Sequence, residues 1–148
     1  MTGGRALLAI GALCSLAAAL LHLAAITGGP AWYRALGAGE PMARAAERGS
    51  AMPALLTLGI ALILCLWAGY AASGAGLVSR LPLLRTGLVA VTFIYLARGM
   101  VLFMPALLRR PDLSPEFLRW SSLICLGIGA VHAVGLILTW PLLATKAQ

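Results

Sequence analysis

The chain has 148 residues, 61% of them hydrophobic and 10% charged, with a mean hydropathy of +0.98 and a net charge of +7. Soluble domains carry about 25% charged residues, so this composition excludes an ordinary soluble fold and leaves a membrane protein. Four spans with short connections account for nearly all of the length, and function is expected in the bundle or its connectors.

The positive charge comes from ten arginines and one lysine spread over connectors and ends. No basic patch with interleaved aromatics is present, which argues against nucleic acid and names anionic membrane lipids as the partner. Arginine in place of lysine, abundant Ala, Leu and Gly, and no asparagine are the mark of a GC-rich bacterial genome. Cys14, Cys65 and Cys125 fall in separate apolar runs with no CxxC pair, so they read as packing residues rather than disulfide or metal ligands.

The first span is predicted over about 6–27. Its apolar run is longer than the roughly 7–15 residues of a signal peptide, and Leu13 before Cys14 is too bulky for a lipoprotein site. His22 shares a face with Ala19, Ala18, Ser15 and Gly11, small residues that allow close approach of another helix, and is expected to point inward. Gly28-Gly29-Pro30 is expected to stop this helix, and Trp32-Tyr33-Arg34 to anchor the chain at the interface. A short interfacial helix follows over about 40–49, with Pro41 in its first turn, Glu40 and Glu47 bracketing Arg44, and Gly49 as a left-handed stop.

The second span, 53–73, has a small face of Thr57, Ala61, Cys65, Ala68 and Ala72, with Trp67 and Tyr70 toward the far interface. The 74–85 connector is tight, holds Arg80 and Arg85, and suggests no chemistry. The third span, 86–108, is an apolar run with one arginine at its middle. At 1.5 Å per residue such a run crosses the ~30 Å hydrocarbon core, which sets Arg98 ~15 Å from either end, where a charge must face protein, water or ligand. Val91, Tyr95, Leu102 and Pro105 share its face, and Pro105 frees the Val101 carbonyl for another donor. Ser114-Pro115-Glu116 reads as the start of the last helix, with a span over 118–144 whose Ser122, Cys125, Gly129, His132, Gly135 or Leu136, and Thr139 share one face. Trp140 and Pro141 mark its exit.

The fold class is thus all-α: a polytopic membrane protein, an antiparallel four-helix transmembrane bundle with a short interfacial helix in the first connector. Both termini and the 74–85 connector share one side, the terminal side. Glu40, Glu47, Asp112 and Glu116 all fall on the other, the acidic side. Arginines and lysines divide too evenly between the two sides to fix orientation.

Helix rise sets His22 ~8 Å below the acidic side and Arg98 and His132 ~15–18 Å below it. One expectation is a cavity floored by Arg98 and His132, walled by His22 and Tyr95, lidded by Glu40 and Glu47, and drawing on Trp32 as a binding residue. Another is a lock, in which Arg98 pairs with Glu40, Glu47 or the Val101 carbonyl. A bis-histidine haem is disfavoured by the ~10 Å difference in histidine depth, a metal by the want of a third ligand, and a nucleophile by the two turns between each histidine and the Ser or Cys on its own helix. No cofactor and no metal are expected. The leading functional expectation is binding or transport of a small anionic or amphipathic molecule with Arg98 as counter-charge. Alternatives are an enzyme acting on a lipid-soluble substrate, with His22 or His132 as acid or base, and a helper subunit of a larger complex. Small-residue faces also allow a homo-oligomer.

The segments ARAAERGSAMPALL and YLARGMVLF superficially resemble motifs of the membrane glutathione transferase family, but the chain has no asparagine for that family's motif position. The stretch LHLAAITGGPAWYRALGAGEPMARAAERGS is similar to the opening half of short four-span bacterial inner-membrane proteins with no assigned activity. That resemblance covers the first half well and the rest loosely, and implies a four-span fold and an inner-membrane location.

Overall fold

In hydrocarbon every backbone amide must find its partner within its own segment, so each long apolar run closes as a helix. The computed structural model describes residues 2–104 and 115–144 and shows this outcome. Helix α1 spans Gly3–Ala35, α2 Glu40–Glu47, α3 Met52–Ala75, α4 Leu84–Met100 and α5 Pro115–Thr139. Short 3₁₀ turns follow α4 at Val101–Phe103 and α5 at Leu142–Ala144. No strand occurs among the described residues. Helices α1, α3, α4 with its 3₁₀ turn, and α5 are each long and apolar enough to cross a membrane. The chain is a multi-pass membrane protein built as a four-helix bundle.

Large side chains such as Leu13, Leu55, Phe93 and Ile137 face outward, while the interior is lined by Ala, Gly, Ser and a few Leu. This inversion suits lipid, where small residues let helix backbones approach and outward apolar surface costs nothing. Helix α1 packs broadly on both α3 and α5, α4 packs broadly on α5, and α3 meets α4 more sparsely. The α1–α5 seam is antiparallel. Gly4 lies against Leu138 and Thr139, Leu8 against Gly135, and Gly11 against the ring of His132. Across α4 and α5, Gly99 faces Leu126 and Gly129 faces Leu96.

Several sequence expectations are corrected. Gly28-Gly29-Pro30 bends the first helix without ending it: Gly29 adopts φ 67°, ψ −151°, and helical geometry resumes to Ala35. A positive φ is open to glycine at no steric cost, and Pro30 suits the start of the resumed helix, where its missing N–H is no loss. Tyr33 is then buried against Ala25 and Ala43. Helix α2 does have Pro41 in its first turn, and Gly49, at φ 76°, ends it as the Gly49 and Ser50 amides donate to the Ala46 and Ala45 carbonyls. In α3 the buried stripe runs through Thr57, Ala61, Leu64, Ala68, Ala71 and Ala75, which leaves Cys65 exposed.

Helical geometry in the third span breaks at Met104. Met104 takes φ −112°, ψ 86°, away from the helical region, as a residue before proline is driven to do. The Val101 carbonyl is not free but accepts the Met104 amide at 3.0 Å. Positions 105–108 of the expected span, and Ser114 as the α5 cap, lie outside the described residues. The predicted inner face of α5 does form: Ser122, Gly129, His132, Leu136 and Thr139 are buried and Cys125 is half-buried.

A Cβ at Gly11 would lie 2.7 Å from His132 Cε1 and 2.9 Å from Nδ1. Gly11→Ala is therefore expected to destabilise the bundle by about 1–3 kcal/mol, read as a lowered unfolding midpoint in detergent. Gly59, with nothing within 4 Å of its would-be Cβ, is the control. Gly59→Ala should match wild type or exceed it by up to about 1 kcal/mol, through helix propensity.

Candidate functional site

Two polar centres form where the sequence suggested one. The first lies at mid-bundle. His132 on α5 is fully buried, and its Nδ1–H donates to the Ile128 carbonyl one turn back at 2.9 Å. Its ring stacks on Tyr95 of α4 with centroids 5.4 Å apart and a 29° interplanar angle, while Gly11 of α1 closes over it. The Tyr95 hydroxyl hydrogen-bonds Ser15 Oγ of α1 at 3.0 Å. The Trp67 ring of α3 meets Tyr95 edge-on at 5.1 Å, so this tryptophan packs inward instead of marking an interface. Helices α1, α3, α4 and α5 all contribute to the cluster. His132 Nε2 is buried with no partner among the described residues. Gly11 and Tyr95 thus enclose the ring within the core.

The second centre is built around Arg98. Leu96 packs at Gly129 and Gly99 at Leu126, which sets the Arg98 backbone level with about residue 127 of α5. Its guanidinium lies elsewhere. Nη1 donates to Ser122 Oγ at 3.0 Å and Nη2 to Ser121 Oγ at 2.9 Å. The side chain thus climbs ~8 Å toward the acidic side, the behaviour of a long cationic stem seeking polar surroundings. Ser121 passes its own proton to the Leu118 carbonyl at 3.2 Å, which turns a lone pair toward Arg98. Arg98 also falls in the last turn of α4, where the helix dipole favours a cation.

Arg98 and His132 therefore do not floor one cavity. The serines that hold the guanidinium stand about ten residues, or ~15 Å, along α5 from His132. The guanidinium stands nearer the acidic side than the Arg98 backbone because the long side chain rises to reach Ser121 and Ser122.

The remaining candidates stand apart. His22 is half-buried, and its Nδ1–H donates to the Ala18 carbonyl within α1 at 2.7 Å. The α1–α5 register, continued from Gly11 and His132, sets His22 at about the level of Ser121. Glu40 and Glu47 do not reach Arg98. Arg34 binds Glu40 through Nε at 2.8 Å and Glu47 through Nη2 at 2.8 Å, while Arg44 Nε meets Glu40 at 3.0 Å. The glutamates thus fasten α2 to the end of α1, and the lock onto Arg98 is not formed. Trp32 is exposed, with its ring lying over Gly28. Among the described residues no carboxylate comes within ion-pair distance of Arg98, and no three His, Cys, Asp or Glu side chains converge.

Sequence reasoning missed Ser121 altogether. Its signal was a serine pair directly after the interfacial Trp120, at the depth an arginine from the neighbouring helix can reach. No protein family, curated protein or solved structure matches the chain.

The Arg34 guanidinium, and after it Arg44, hold the Glu40 carboxyl down from 4.5 to about 2. A depressed carboxyl contributes stability that is complete above its unfolded value and is lost as pH falls through its folded one. The hold of α2 on α1 should therefore persist at neutral pH and weaken as pH falls from 4.5 toward 2. A carboxyl-carbon NMR titration in micelles should give a Glu40 midpoint near 2, and Arg34→Gln should move it up toward 4.5.

Proposed function

We propose that this protein, in a bacterial inner membrane, binds a small anionic amphiphile at its acidic side, with Arg98 as counter-charge and Ser121 and Ser122 as the scaffold for its guanidinium. The observation that carries this reading is a half-buried arginine held by two neutral hydroxyls, with no carboxylate within ion-pair distance among the described residues. Serine oxygens orient a guanidinium but do not cancel its charge. Of its five N–H donors two are engaged here, and the planar fork suits a carboxylate or phosphate. Trp120 and Phe103 are exposed close by in sequence, at the ends of α5 and of the α4 extension, where the tail of an amphiphile can lie among lipid chains. The filled cluster of Ser15, Trp67, Tyr95 and His132 supports binding over passage through the bundle. The location rests on the resemblance to short four-span bacterial inner-membrane proteins.

An acid–base enzyme remains the second reading, on His22 alone. This histidine shares the depth of the Arg98 guanidinium, whereas His132 is enclosed and remote from it.

In nanodiscs the wild-type protein should bind a fluorescent fatty acid in preference to the matching fatty alcohol, and Arg98→Gln should lower that preference about tenfold, the effect of losing one charge-assisted contact. Should Arg98→Gln keep the preference while lowering only thermal stability, the arginine is a strut between α4 and α5 and the binding reading fails.

A further inference from the structure

The terminal end of the bundle carries a second arginine arrangement, in the connector whose sequence suggested no chemistry. Arg80 donates through Nη2 to the Leu143 carbonyl, and Arg85 through Nη2 to the Trp140 carbonyl at 2.7 Å. The Arg85 guanidinium also lies over the Trp140 ring, 4.5 Å from its centroid. Arg85 thereby caps the carbonyl end of α5, where a helix leaves acceptors unsatisfied, and Arg80 holds the 3₁₀ turn that follows it. These oxygens are neutral and no described carboxylate pairs with either guanidinium, so among the described residues both charges stand uncancelled, and Arg85 Nε is buried without a partner there.

Both arginines line one open groove of about 690 Å³, together with Pro82, Leu83, Thr86 and Leu143. Its wall includes the first turn of α4. No side chain caps that turn, because its N-cap position is Leu83 in a left-handed conformation, φ 52°. The uncapped amides, the Thr86 hydroxyl and the two guanidinium groups are all donors. Apolar surface continues from the groove on Leu83, which is 76% exposed, and on Trp140. Because the groove sits where α4 enters the membrane, its donors lie at headgroup depth and its apolar rim lies beside the acyl chains.

We propose that this groove is a binding site for the phosphate of an anionic phospholipid. The arginines are already fixed by the end of α5, so little side-chain freedom is lost when the lipid binds. The phosphate accepts from Arg80, Arg85 and the first turn of α4, and its acyl chains run along the outer surface past Leu83. The site stands at the opposite end of the bundle from Arg98 and does not depend on the proposal made for that residue.

The test is native mass spectrometry of the full chain from micelles holding equal fractions of phosphatidylglycerol and phosphatidylcholine with matched chains. Wild type is expected to retain phosphatidylglycerol preferentially. Arg80→Gln/Arg85→Gln should abolish the preference, but it also removes these contacts at the end of α5, so the deciding variant is Thr86→Glu. A glutamate in the first turn of α4 favours the helix through its dipole while it repels a phosphate in the groove. Thr86→Glu should keep the unfolding midpoint of wild type or raise it, and lower the phosphatidylglycerol preference by roughly fivefold, the scale set by cancelling a surface cation's attraction for an anionic lipid. Arg48→Gln, which removes one exposed cation on the acidic side, should leave the preference unchanged. Equal retention of both lipids by wild type, or an unchanged preference in Thr86→Glu, would overturn the proposal. If excess inorganic phosphate stabilises lipid-free protein as strongly as phosphatidylglycerol does, the groove takes a soluble anion and the lipid assignment is wrong.

Discussion

The close approach of α1 and α5 is the constraint on which the other contacts depend. Helices in lipid gain little by hiding apolar surface from a solvent that is itself apolar, so association rests on how near two backbones can come. Gly4, Gly11 and Gly135 supply that nearness, with Leu8 seated on Gly135 and the His132 ring seated on Gly11. Once His132 is fixed in the seam, Tyr95 stacks on its ring and brings α4 in, Ser15 ties Tyr95 back to α1, and Trp67 closes the cluster from α3. One missing side chain at Gly11 thus allows a polar ring to act as the keystone of an otherwise small-residue core.

The same setting explains how the polar groups in the spans are arranged. An unpaired hydrogen-bonding group in hydrocarbon is costly, and the nearest acceptor on a helix is the carbonyl one turn back. Thr92 uses Leu88, Thr139 uses Gly135, His22 uses Ala18 and His132 uses Ile128. A guanidinium has too many donors and too firm a charge for that solution. Arg98 instead extends along its stem to two hydroxyls on α5 near the membrane boundary. Its position is therefore set by what surrounds the tip of the side chain more than by where its Cα falls in the apolar run.

That distinction accounts for what the sequence revealed and what it did not. Run lengths revealed the spans, and helical periodicity revealed the inner face of α5, since Ser122, Gly129, His132, Leu136 and Thr139 differ from their outward neighbours in size and polarity. In α3 the inner residues are alanines and leucines much like the outer ones, so the periodicity was shallow and Cys65 was assigned to the wrong face. The depth of Arg98 was illegible because hydropathy treats residues 86–108 as uniform, although the backbone turns out of the helix once Pro105 constrains Met104. The partners of Glu40 and Glu47 were partly visible. Their bracketing of Arg44 was in the sequence, but Arg34 joins them only because the chain bends at Gly29 and carries the end of α1 toward α2.

A count of cations treats all arginines alike, yet the structure places five of them in two electrostatic situations. Arg34 and Arg44 are paired with carboxylates, so the α1–α2 connector presents a nearly neutral surface cluster whose pairs are individually weak. Among the described residues Arg98, Arg80 and Arg85 are bonded to hydroxyl or carbonyl oxygens, which fix the geometry of a guanidinium and do not cancel its charge. An oriented cation with an uncancelled charge, placed at the depth of lipid headgroups, is a far better receptor for an anion than a freely moving surface arginine, because neither side-chain ordering nor displacement of a carboxylate opposes binding. The near-equal division of positive residues between the two sides thus conceals a difference in their partners: on the acidic side Arg34 and Arg44 hold the connector through carboxylates, whereas Arg98 there, and Arg80 and Arg85 on the terminal side, bond neutral oxygens among the described residues.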